Sequence, residues 1–281
     1  MHRELVRSAY LAACRAELEA LKPGNVHVFA DGHGMTAADF ELSACASVDA
    51  MARPRLALGS RIYHAVRRSK AATGCNTNLG IVLLCAPLAQ AVFEGRDGSL
   101  RDRLRDVLAR LTRRDAADVF RAIGLANPGG LGESRKYDVR RPARVTLLTA
   151  MAEARARDRI ARQYVTDYAD IFAFGLPRLR DARARWQDEN WAAASLYLGY
   201  LGRFPDSHVQ RKFGLAVARE LRGRAAELDR RLLLAKKPAA LKAELLRFDK
   251  ELKSVGYNPG TSADLTVATL FAAALEQQSA G

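Results

Sequence analysis

The sequence predicts an all-α protein, and three observations carry that expectation. Apolar residues recur at the spacing of one helix face along almost the whole chain. No run of alternating β-branched residues marks a strand. The connections are short and punctuated by Gly, Pro, Asp or Thr, so a compact multi-helix domain over 1–281 is expected, with a subdivision near 127–142 left open.

The first helix carries Leu5, Ala9, Ala12, Cys14 and Leu18, and Pro23-Gly24 ends it. Thr36 and Asp39 read as a capping box, with Asp where Glu is usual, opening a helix over Ala38 to Met51. Further helices are expected over Gly59 to Lys70, Asn78 to Val92, Leu100 to Leu111 and Asp115 to Ile123. A Gly- and Pro-rich loop follows, Asn127-Pro128-Gly129-Gly130-Leu131-Gly132-Glu133, running into Tyr137-Asp138-Val139 and Pro142. No Lys-Ser/Thr pair follows these glycines and no strand precedes them, so the loop reads as a lid or plain turn and not as a Walker A motif. Ala143 to about Phe174 reads as one long helix, Asn190 to Leu201 as another, and Ser207 to Leu233 and Pro238 to Ser254 as two more. Thr261 to Gln278 closes the chain.

Hydrophobic residues make up 49% of the chain and charged residues 27%, the balance of a folded globular protein, which argues against disorder over most of its length. The net charge of +14 attracts polyanions such as ATP, a CoA-like nucleotide or RNA, although an arginine-rich composition produces the same charge without a partner. Aromatic and basic residues are not interleaved as in a single-strand binder, so no nucleic acid is expected. Cys14, Cys45 and Cys85 sit in apolar helical runs as small core residues, and Cys75 lies in a polar turn. Arg3, Glu4, Arg7, Arg15, Glu17 and Glu19 exclude the uncharged core of a signal peptide. The longest apolar stretch, Leu79 to Ala89, contains Pro87 and is too short for a bilayer. No membrane and a cytoplasmic location are expected, and pairing as a homodimer is left open.

Two polar turns stand out, Lys22 to His27 and Thr73 to Gly80. Three consecutive polar residues, Asn76, Thr77 and Asn78, precede an apolar helix, more than one N-cap requires, and their amides and hydroxyl suit a nucleotide. Lys22 reads either as a phosphate contact fixed by Pro23 and Gly24 or as a cation at a helix C-terminus. Asn25 and His27 share one face if extended. Asp39, with Ser43 one turn later, reads equally as a cap and as a carboxylate for Mg²⁺ or base work, and Glu133 and Asp138 are further carboxylates for a metal. Asp264 falls in the first turn of the last helix, where the dipole favours it electrostatically.

Lys22-Pro23-Gly24, Asp39-Phe40-Glu41-Leu42-Ser43-Ala44 and Asn76-Thr77-Asn78-Leu79-Gly80, followed by Asp206 to Gly214 and Tyr257 to Leu265, resemble the triphosphoribosyl-dephospho-CoA synthase family in order and spacing. The resemblance implies transfer of a triphosphoribosyl group from ATP to 3′-dephospho-CoA with release of adenine, with ATP as substrate and Mg²⁺ as companion ion. On that reading Asp39, His27 and Asp264 are the catalytic candidates. Lys22, Gly24, Asn25, Ser43, Asn76, Thr77 and Asn78 would bind nucleotide, and Asp39, Asp264 and Glu133 would hold the metal. His208 and Arg211 are further candidates for nucleotide contact.

The better-known members carry Pro-Lys-Pro-Gly-Leu-Val-Asp and Asn-Thr-His-Lys-Gly, whereas this chain has Leu21 before its motif, Asn25-Val26-His27 after it, and Asn78-Leu79 in place of His-Lys. Leu79 cannot hold a phosphate as a lysine does, so the acceptor stays open. These changes resemble a branch linked to methanopterin-dependent one-carbon metabolism. A nucleotide-using enzyme of that metabolism with another acceptor is one alternative, and a basic, non-enzymatic helical binding protein is another.

Overall fold

The helical periodicity resolves, in a computed structural model describing residues 2–95, 97–134 and 136–277, into fourteen α-helices and no strand among those residues. They are α1 (His2–Glu19), α2 (Ala37–Met51), α3 (Leu58–Thr73), α4 (Leu79–Phe93), α5 (Leu100–Ala109), α6 (Arg113–Ala126), α7 (Leu147–Ala154), α8 (Arg159–Val165), α9 (Leu176–Trp186), α10 (Glu189–Arg203), α11 (Ser207–Phe213), α12 (Leu215–Leu234), α13 (Lys242–Ser254) and α14 (Gly260–Gln277). Gln278, the expected end of the last helix, lies outside the described residues. No helix among them is long and apolar enough to cross a membrane.

The long helix expected over 143–174 is instead three pieces. Asp158 accepts hydrogen bonds from the N–H groups of Ile160 and Ala161, which makes it the N-cap of a new helix, α8. Asp167 and Tyr168, at φ of 48° and 56°, then adopt the left-handed conformation and end it. A π-helical turn over Asp170–Gly175 leads into α9, a helix that the sequence reading did not place. Likewise Gly214, at φ 91°, divides 207–233 into α11 and α12, and Pro238 opens a 3₁₀ turn ahead of α13.

A large apolar core runs between α1, α4, α10 and α14, with α2, α3 and α6 packed along one side. A second cluster, including Leu198, Leu221, Leu245 and Leu252, joins α10, α12 and α13. Pro87 inside α4 has no N–H for the carbonyl of Leu83, and the buried Tyr164 hydroxyl donates to that oxygen at 2.7 Å. Arg61 is fully buried, and its guanidinium donates to the carbonyls of Ala50, Met51 and Leu56 and to the Gln90 side chain. It thereby ties the orphan C-terminal carbonyls of α2 to α3 and α4. With these helices fixed, the N-terminal ends of α4 and α14, the C-terminal end of α1 and the side chains of α11 converge on one cavity.

Candidate active site

The cavity measures about 560 Å³ and is closed on one side by the loop over 127–139. Asp264 reaches into it from the first turns of α14 and lies against the backbone of Gly80 in α4. A β-carbon on Gly80 would come within 2.0 Å of the carboxylate, so only glycine permits this approach. Among the described residues no hydrogen bond reaches the Asp264 carboxylate. Burial, and then the nearby carboxylates of Asp206, Glu17 and Asp158, push its pKa well above the usual aspartate value, with Arg211 opposing weakly. A carboxyl group of this kind holds its proton more tightly than a solvated aspartate, a shift characteristic of catalytic acids and bases.

Asp206 sets the geometry around it. One of its oxygens accepts from the N–H groups of His208 and Val209, capping α11, and the other accepts from the N–H and hydroxyl of Ser262, at 2.8 Å each, capping α14. One buried carboxylate thus fixes the helix that carries His208 and the helix that carries Asp264. Burial, with Arg211, Lys212 and His33 adding to it, pushes the His208 pKa down to about 3, so its ring is neutral at physiological pH.

On the same helix-lined wall lies a buried ion pair. The Lys22 amine donates to Glu17 and, at 3.1 Å, to the Asn25 amide oxygen, and the Asn25 amide nitrogen donates to Asn258 at 2.8 Å. Burial raises the Glu17 carboxyl and lowers the Lys22 amine, and each partner counteracts the shift in the other. Glu17, Asn25 and Asn258 line the cavity, whereas Lys22, fully buried, stands one layer behind them. The direct phosphate contact expected of Lys22 does not fit that position.

The polar turn before α4 divides in the same way. Asn76 and Thr77 face the cavity. Asn78 and Ser43 turn inward instead: Thr77 pairs with Ser43, and the Asn78 amide donates to the Ser69 hydroxyl at 2.9 Å and to Ser47 at 3.3 Å. This buried network anchors the turn from behind, which is why three polar residues occur where one cap would suffice.

Other expected residues stand elsewhere. Asp39 lies outside the cavity, its carboxylate accepting from the N–H of Thr36 at 2.7 Å and its hydroxyl at 2.8 Å, so it caps α2 and is in no position for catalysis or metal binding there. His27 is fully buried away from the cavity. Its Nδ1 accepts from the Phe29 N–H, and its Nε2 lies 3.4 Å from Asp249. Gly24, at φ 82°, packs against Leu252 and Pro259 and donates its N–H to Asp249, a structural role. Glu133 does line the cavity, but from the loop, where it is largely exposed and faces Arg140. Asp39, Asp264 and Glu133 therefore do not gather around one ion. Among the described residues no three His, Cys, Asp or Glu side chains form a metal cluster.

The cations of the cavity come mostly from residues that the sequence reading passed over. Arg211 donates to the Gly129 carbonyl at 3.0 Å, and Arg157 donates to Ser134 at 3.0 Å. Lys136 and Lys212 line the cavity with no acidic partner among the described residues. A β-carbon on Gly129 would meet the Lys212 side chain at 2.8 Å, and Gly130 lies against the Arg211 backbone, so the glycines let the loop press onto α11. The sequence signal available was the Arg-Lys pair inside the motif that resembles the family. Its distance from the glycine loop along the chain hid the contact.

The model of the ATP:dephospho-CoA triphosphoribosyl transferase family matches residues 3–281. The chain belongs to this family. A crystal structure from Archaeoglobus fulgidus, of a protein provisionally described as a triphosphoribosyl-dephospho-CoA synthase, is similar to it with a TM-score of 0.65 and 25% sequence identity, covering 85% of this chain and 98% of that one. No protein of curated function matches. A triphosphoribosyl transferase needs negative charge near the reacting sugar and positive charge near its phosphates. This cavity holds carboxylates at its helix-lined wall and cations beside its glycine loop.

Proposed function

We propose that this protein transfers the triphosphoribosyl group of ATP to a hydroxyl of 3′-dephospho-CoA and releases adenine. The observation that carries the reading is the family match over residues 3–281, nearly the full length of the chain. The opposed charges of the cavity support it. In this reaction the bond between the ribose C1′ and the purine nitrogen breaks and a bond from C1′ to the acceptor oxygen forms. The acceptor proton passes to a base, and the departing purine gains a proton.

Asp264 is the proposed base for the acceptor hydroxyl: unlike Glu17, Asp138 and Asp158 it accepts no hydrogen bond among the described residues, unlike Glu133 it stands on a helix and not on the exposed loop, and burial raises its proton affinity. Glu17, held by Lys22, supplies fixed negative charge near the oxocarbenium-like sugar. Asn25, Asn76, Thr77 and Asn258 offer neutral hydrogen-bonding groups for ribose or base, and Arg157, Arg211, Lys136 and Lys212 attract the phosphates. Among the described residues no three His, Cys, Asp or Glu side chains build a metal cage. Mg²⁺ arriving with the triphosphate would rely on phosphate oxygens and water. A cytoplasmic setting belongs to the same proposal. Nothing in the family match favours a different acceptor or a non-enzymatic role.

Mass spectrometry of dephospho-CoA after incubation with ATP, Mg²⁺ and the protein tests the proposal. A product heavier by one triphosphoribosyl group supports it. Unchanged dephospho-CoA, from folded protein that binds ATP, refutes it.

A further inference from the structure

A second cavity, of about 460 Å³, opens between α1 and α2 and shares Glu17, Phe40 and Ile81 with the first. Its character is different. Apart from Glu17, its charged lining is one cation and one carboxylate, Arg15 and Glu41, which cancel, and the rest is mainly Leu, Ala, Cys and Phe side chains. It therefore offers nothing to a phosphate. It offers apolar walls and, at its base, Asn78, whose side-chain oxygen accepts no hydrogen bond among the described residues while its nitrogen is engaged by Ser69.

Size points the same way. A pocket of roughly 300–1,000 Å³ encloses one drug-sized ligand. The reaction needs two nucleotides at once, and the cationic cavity, at about 560 Å³, is a fit for little more than one. Of the two substrates, dephospho-CoA has the long uncharged part: a pantetheine arm with a branched apolar segment, two amides and a thiol. Its amide N–H groups match the Asn78 oxygen, and its apolar segment matches the walls.

We propose that the α1–α2 cavity receives the pantetheine arm of the acceptor, while the phosphates of both substrates stay on the glycine-loop side. This assignment rests on the proposed reaction and adds to it the place where the acceptor is recognised. Phe40 and Ile81, common to both cavities, form the wall along which the arm passes from one to the other.

Ala12 on α1 and Cys45 on α2 line the cavity from opposite sides, and both are exposed, so larger side chains there can be carried without disturbing the core. The test compares wild type with Ala12→Trp and Cys45→Phe, with circular dichroism to verify folding. The variants should raise KM for dephospho-CoA about tenfold or more. KM for ATP should be unchanged, as should turnover with ADP, an acceptor that lacks the arm. Unchanged KM for dephospho-CoA in both variants overturns the proposal. So does a rise confined to ATP, which would place the leaving purine in this cavity.

If the wild-type protein modifies no dephospho-CoA, the reaction itself has been misassigned, and calorimetric titration with pantetheine decides the cavity separately. Binding to wild type that Ala12→Trp abolishes sustains an arm-binding cavity. No binding to wild type removes it.

Discussion

At the scale of single residues, Asp264 makes the sharpest commitment. Its folded-state pKa lies above the unfolded value, so the native protein binds more protons than the unfolded chain once the pH passes the usual aspartate range, and stability falls as pH rises through that window. Asp264→Asn removes the penalty. The variant should lose about 10²–10⁴ in kcat, as expected for a missing base. It should nonetheless melt no lower than wild type at neutral pH, and the difference in its favour should widen from acid pH upwards. A variant that loses activity and stability together would make Asp264 a structural residue.

Lys22 behaves in the opposite way. Replacing it with Met leaves the buried Glu17 carboxylate unpaired and should cost about 3–5 kcal/mol in denaturant unfolding. An unaltered midpoint would show that the pair is not formed. Sequence alone marked Lys22 because a lysine before Pro-Gly reads as a phosphate contact. Its partner, Glu17, is on the face of α1 that turns inward, and helical periodicity assigned that position no role.

At the scale of elements, caps and breaks decide where side chains arrive. Asp39→Asn weakens the capping box of α2 and should cost about 0.5–2 kcal/mol by thermal or chemical denaturation, with kcat/KM intact. A large loss of turnover in folded protein would return Asp39 to the active site. Tyr164→Phe leaves the Leu83 carbonyl, already deprived of a partner by Pro87, without its hydrogen bond, and should cost about 1–3 kcal/mol. A neutral effect on the unfolding midpoint would show that the oxygen finds another donor.

Most element boundaries could be read beforehand, because Pro23-Gly24, Thr36 with Asp39, and Asn258 to Thr261 are local signals. The break at Asp158 was harder to read. Apolar spacing continues across it, and the left-handed turn at Asp167 and Tyr168 depends on Tyr168 being buried, with its hydroxyl donating to the Leu84 carbonyl at 3.1 Å. That contact bridges 84 positions in sequence.

At the scale of the whole molecule, the arrangement is a division of charge. Helix ends from α1, α4 and α14 bring carboxylates and amides to one wall, and the 127–139 loop, pressed onto α11, brings cations to the other. The +14 net charge signalled a polyanionic ligand but could not say where it binds. The motifs near residues 22, 76, 208 and 258 were each visible, and Asn25, Asn76, Thr77, His208 and Asp264 from them do line the cavity. The residues that fix their geometry, Glu17 beside Lys22, Asp206 before His208 and Gly80 under Asp264, take those roles through tertiary packing, which no local pattern contains.

If this cavity moves the sugar of ATP from adenine to dephospho-CoA, release of adenine depends on the acceptor. Chromatographic measurement of free adenine from ATP and Mg²⁺, with and without dephospho-CoA, tests it most directly. Adenine should form only when dephospho-CoA is present and should disappear in Asp264→Asn. Folded, ATP-binding protein that releases no adenine, or releases it regardless of dephospho-CoA, would contradict it.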